Sequence, residues 1–172
     1  MTTESSTFQE TQYFRNPLIF ILLFAIFGIA IWGIVQQLIL NVPFGNNPAP
    51  DYILILFSMI PVIFLLFFIF MKQKTVIDKE SIQVTISPFG RRRMLWANIE
   101  KAYIRTYKPI MEYGGWGIRY GFAGKGVAYS VGGGNQGLQL ELKNGQKVLI
   151  GTKKADALKS FLTKEGLLNG QL

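Results

Sequence analysis

The chain of 172 residues contains no cysteine and no histidine, which excludes disulfides, thiolate and imidazole metal ligands, and the usual thiol nucleophile and neutral-pH general base. Its 18 lysines and arginines against 10 acids give +8, unevenly spread: residues 1–71 hold Arg15 against Glu4, Glu10 and Asp51, one cation less three acids for −2, leaving +10 for residues 72–172. A basic domain points to nucleic acid, anionic lipid or an acidic protein as its partner.

Residues 1–16, MTTESSTFQETQYFRN, lack the basic start of a secretory signal and are read as a short cytoplasmic N-terminal segment. Residues 17–40 and 52–71 contain no charge. Each exceeds the roughly 18 apolar residues that argue for a span, at about 1.5 Å per residue across a hydrocarbon core of about 30 Å. Together they predict a transmembrane hairpin over 17–71, joined by an external loop, NVPFGNNPAPD, at 41–51. The loop has no lysine or arginine, whereas Arg15 precedes the first span and Lys72, Lys74 and Lys79 follow the second. The positive-inside rule then predicts a two-pass protein of the inner or plasma membrane with both termini cytoplasmic.

From residue 75 the period of the pattern becomes two, and residues 72–172 read as one cytoplasmic domain. Strands are predicted near 75–79, 82–87, 93–96 and 102–107, which puts Arg91-Arg92-Arg93 at a turn. In YGGWGIRYGFAGKG, residues 113–126, glycine is abundant, but Gly124-Lys125 is followed by Gly126 where a Walker loop needs Ser or Thr. Both flanks alternate like strands, so a dinucleotide fingerprint is excluded as well. A hairpin turning at 123–126 would pair Phe122 with Val127, Tyr120 with Tyr129 and Ile118 with Val131 as a core face. Gly117, Arg119 and Gly121 would lie on a nearly bare opposite face. Further on, LQLELKNGQKVLIGT fits a three-residue loop, Lys143-Asn144-Gly145, because only that register pairs Glu141 with Lys147, Leu140 with Val148 and Leu138 with Ile150. The last element is an amphipathic helix from an N-cap at Thr152, with Ala155, Leu158, Phe161 and Leu162 as its apolar stripe and Gly166 as its stop.

Leu95-Trp96-Ala97-Asn98-Ile99, the Gly-Gly-Trp-Gly-Ile-Arg run at 114–119 and the hairpin-plus-helix ending Val148-Leu149-Ile150-Gly151-Thr152 through Leu162 make residues 17–164 resemble the bacterial PH-like domain membrane proteins. The resemblance implies an α+β membrane protein: a two-helix transmembrane hairpin followed by a PH-like antiparallel β-barrel of about seven strands with a C-terminal helix. That family has no common ligand, so it implies a fold more than a function.

No cluster with catalytic chemistry emerges, and no cofactor, metal or nucleic acid is expected. Two surfaces carry the functional expectation. Lys72 and Lys74 with Arg91, Arg92 and Arg93 are lipid-docking candidates, since each basic residue near an anionic leaflet contributes about 1 kcal/mol. Arg119 with Trp116, Gly117 and Gly121 forms a partner-binding candidate for an acidic peptide or a second copy, unless Arg119 packs in the barrel against a carboxylate such as Glu112. The sequence therefore predicts a non-enzymatic, membrane-anchored binding or assembly module with a membrane-protein partner or self-association. An anionic-lipid sensor or docking protein is the alternative, and a subunit of an enzyme or transport complex is less favoured.

Overall fold

The structure, a computed structural model, describes residues 7–168 and divides into two compact units. One comprises residues 16–70; the other joins residues 7–15 to residues 71–168.

The first unit is a pair of helices. Helix α1, Pro17–Ile34, opens on Asn16, whose Oδ1 accepts the amides of Leu18 and Ile19 at 3.1 and 3.4 Å, with proline at the first helical position where no amide is missed. It runs into a π-helical turn, Val35–Ile39, and helix α2 spans Asp51–Phe70. Both helices are long and apolar enough to cross a membrane, and most of their large apolar side chains are exposed rather than packed in a core. The π turn presents two amides to the connecting loop: Gln37 Nε2 donates to Ala49 O and to Asp51 Oδ1, both at 2.7 Å, and Gln36 Nε2 donates to Pro43 O at 3.3 Å.

The second unit contains two sheets. Strands β1 (Phe8–Tyr13), β2 (Lys72–Ile77), β3 (Ser81–Ser87) and β4 (Gly90–Leu95) form an antiparallel sheet in that order. Strands β5 (Ile99–Thr106), β6 (Gly117–Tyr120), β7 (Val127–Ser130), β8 (Gln136–Leu142) and β9 (Lys147–Gly151) form a second sheet in the order β5-β8-β9-β7-β6. A short helix α3, Pro109–Tyr113, precedes β6, and helix α4, Ala155–Lys164, follows β9 with Ala155, Leu158 and Leu162 buried. The mixed α and β class matches expectation. A single closed antiparallel barrel does not form: the strands stay in two sheets, and β7 runs parallel to β9.

The N-terminal segment is not separate from the domain. FQETQY alternates with Phe8, Glu10 and Gln12 buried, and pairs with β2 from Phe8 opposite Ile77 to Tyr13 opposite Lys72. The helical pair is thus an insertion between two neighbouring strands. Phe14 N–H extends the pairing to Met71 O at 3.1 Å.

The β8–β9 hairpin keeps the expected register, with Gly145 in the left-handed region at φ +80°. The β6–β7 hairpin does not. Tyr120 pairs with Val127, Ile118 with Tyr129 and Arg119 with Ala128, a two-residue shift that lengthens the loop to residues 121–126. Its bare face is the one covered: Ala128 and Leu149 pack with Tyr107 and Tyr113, while Ile118, Tyr120 and Phe122 are exposed. The glycines serve this covering. A Cβ on Gly121 would come within 2.7 Å of the Tyr113 ring, and one on Gly126 would collide with the Lys147 carbonyl.

Candidate functional site

Position in a strand, rather than in a turn, decides what the basic residues do. Arg91, Arg92 and Arg93 lie within β4, so they alternate between faces. Pairing places Lys74 opposite Thr85 and Thr85 opposite Arg91, while Gln83 is opposite Arg93 and Lys72 opposite Ser87. Lys72, Lys74, Arg91 and Arg93 therefore share the outer face of the first sheet. The other outward positions in register are Gln9, Thr11, Tyr13, Val76, Ser81, Gln83, Thr85, Ser87 and Leu95, none of them acidic; Asp78, just past β2, accepts Ser81 N–H at 2.7 Å and feels the charge of Arg93. Arg93 Nε also donates to Ser81 Oγ at 3.0 Å, and its Nη2 lies 3.9 Å from the exposed Glu80 carboxylate, a contact too loose and wet to cancel its charge.

Arg92 takes the inner side. It donates to Tyr129 Oη at 3.4 Å and to Gln146 Oε1 at 3.0 Å, so of the five docking candidates it alone is used to join the two sheets.

The inner face of the same sheet carries buried polar groups that fasten it to the second. Gln12 Nε2 donates to Gly151 O at 2.8 Å, and Gln73 Nε2 reaches the same carbonyl at 3.1 Å while its Oε1 accepts Val131 N–H at 3.0 Å. Glu10 accepts Thr152 Oγ1–H at 2.5 Å and Lys153 N–H at 2.8 Å. Thr152 is thus held by β1, and its Oγ1 accepts Lys154 N–H at 3.0 Å just before α4; no side chain caps the helix at Lys154 itself. These bonds satisfy groups whose burial unpaired would cost about 1–3 kcal/mol each.

The partner-binding candidates are dispersed. Gly117 is buried at φ +116°, Gly121 lies against Tyr113, and half-buried Trp116 donates through Nε1 to Gly134 O at 3.3 Å. Arg119 is exposed, and its Nε donates to Trp116 O at 3.2 Å. It does not pair with Glu112. That carboxylate belongs to Arg105, whose Nη2 lies 2.9 Å away, and it also accepts Lys108 N–H at 2.8 Å. Arg105 further donates to Gln139 Oε1 at 3.0 Å and Tyr113 Oη at 3.2 Å.

Burial opposes ionisation of Glu112, but Arg105, the Lys108 amide and Lys125 outweigh it and hold its pKa below the usual carboxylate value. Burial pushes the Tyr113 and Tyr107 phenols up. The result is an interlocked cluster that holds α3 on the second sheet, and sequence reading misses Arg105 because its partners lie on two other elements, α3 and β8. Among the described residues no group of three or more Asp or Glu side chains could hold a metal ion. No family profile and no curated protein matches the chain.

Proposed function

We propose that the chain is a non-enzymatic, membrane-anchored binding module that docks the outer face of its first sheet on an anionic leaflet. The observation that carries this reading is the grouping of Lys72, Lys74, Arg91 and Arg93 on one face with no acid among its paired positions. Four such charges provide about 4 kcal/mol near an anionic surface at roughly 1 kcal/mol each, a weak affinity that tethering makes sufficient. The tether follows from chain connectivity. Three residues, 14–16, separate β1 from α1, and Met71 alone separates α2 from β2.

Insertion between paired strands also supports the hairpin topology. Strands that hydrogen-bond to each other occupy one compartment, so residues 8–13 and 72–168 share a side, and the helices between them cross an even number of times. The distribution of Lys and Arg supports a cytoplasmic position for that side. Kinship with the PH-like membrane proteins is part of the proposal; the sheet-rich domain with a closing C-terminal helix favours it.

The test is lipid retention. Full-length protein extracted with its surrounding lipid by a polymer belt is expected to carry anionic lipid above the bulk proportion, and a Lys74→Gln, Arg91→Gln, Arg93→Gln variant to lose that excess. Equal lipid composition around both proteins would overturn the docking role.

A further inference from the structure

Among the described residues the second sheet ends on an open edge. There strand β6 pairs with β7 only, and Gly121 N–H bonds to Gly126 O at 2.6 Å, which fixes the phase of the antiparallel ladder. By alternation Arg119 and Gly117 exchange hydrogen bonds with β7, and the backbone groups of Ile118 and Tyr120 point away from the sheet. Unpaired strand edges invite another strand, and proteins usually protect them. The protection here is partial: four residues and one charge, Arg119.

The side chains beside this edge define what fits. On one face stand Ile118 and Tyr120, the latter 81% exposed; on the other stands the exposed Arg119. The apolar surface continues at the corner built by α3 and the loop after β6, where Phe122 N–H bonds to Glu112 O at 2.9 Å. There Phe122, Ile110 and Met111 are 61%, 66% and 73% exposed. The Glu112 carboxylate at this corner is already bound to Arg105.

We propose that β6 is a strand-addition site for an extended segment of a partner protein in which acidic residues alternate with large apolar ones. Alternation sends the acids to Arg119 and the apolar residues to Ile118 and Tyr120, with main-chain bonds to the latter two. A second copy fits less well. Two β6 strands centred on Arg119 would oppose guanidinium to guanidinium, and centred on Ile118 they bring no acid to Arg119. A lipid surface offers no backbone to the edge. The site lies apart from the cationic face of the first sheet, so it does not depend on lipid docking.

The test uses the full chain in neutral phosphatidylcholine discs and a synthetic eight-residue peptide alternating Glu with Val or Phe. Expected is protection of the Ile118 and Tyr120 amides from hydrogen exchange by about tenfold or more at saturation. Arg119→Glu, at an exposed side chain, is expected to keep the fold and to weaken binding about tenfold or more. A peptide with Lys in place of Glu, and one with N-methylated outer amides, are expected to give no protection. Protection by the Lys peptide, absence of protection at β6, indifference to Arg119→Glu, or equal protection from anionic vesicles alone would each overturn the proposal; so would protection appearing only on self-association.

Discussion

Tyr13 and Lys72 stand opposite each other on adjacent antiparallel strands, although both apolar helices, residues 16–70, lie between them in the chain. The domain closes across the two ends of the insertion. Residues before the first helix are as much a part of its sheet as those after the second.

This pairing predicts a cross-link. The chain has no cysteine, so Gln9→Cys with Val76→Cys introduces a single pair at opposed positions on the outer face. Mild oxidation is expected to join them in intact membranes, and a Gln9→Cys, Lys79→Cys pair, out of register, is expected to stay reduced. Failure of the first pair with success of the second would contradict the register.

Removal of the polar fasteners should loosen β1. Glu10→Gln weakens charge-assisted bonds to Thr152 and Lys153, with an expected loss of about 1–3 kcal/mol in denaturant unfolding of the domain. A loss below about 0.5 kcal/mol would mean that Glu10 is better solvated than its burial implies.

Neighbouring glycines should differ sharply. A Cβ on Gly126 meets the Lys147 carbonyl, whereas one on Gly124 meets open space, although both have positive φ. Gly124→Ala is expected to cost about 1–2 kcal/mol from backbone strain alone. Gly126→Ala should cost more than about 3 kcal/mol or prevent folding, because backbone must move. Equal effects, read as thermal midpoints, would remove the close approach of the loop to β9.

The Arg105–Glu112 pair sets an acid limit. A carboxylate whose folded pKa lies below the ordinary 4.5 contributes fully above that value, and its contribution is lost as pH falls through the folded value. Asp78 acts in the same sense: burial opposes its charge, but the amides of Glu80 and Ser81 outweigh it. Thermal midpoints should be level down to about pH 5 and fall below about pH 4. Glu112→Gln should cost about 2 kcal/mol at neutral pH and flatten the fall.

How much of this was legible depends on how many signals agreed at each place. The β8–β9 register could be read because Glu141 with Lys147 and Leu140 with Val148 all require it. The strand β1 was hidden because two of its three inward residues, Glu10 and Gln12, are polar and look like solvent-facing ones. Their partners, Thr152, Lys153 and Gly151, lie near the opposite end of the chain. Periodicity also found the two faces of β6 and β7 but could not tell which is covered. That is decided by Tyr107 and Tyr113, which arrive from outside the hairpin. The arginine run reads as a turn because Pro88 and Phe89 mark one; strand β4 begins at Gly90, and its alternation turns Arg92 inward.

The proposed docking brings the outer face of the first sheet to an anionic leaflet. Its most direct measurement is the distance from a fluorophore on Thr85→Cys, between Lys74 and Arg91, to acceptors in the lipid headgroups of reconstituted vesicles. A short distance is expected in anionic vesicles and a longer one in neutral vesicles, with lengthening of the first by high salt or by the Lys74→Gln, Arg91→Gln, Arg93→Gln changes. The same distance in both lipids, unmoved by salt, would contradict it.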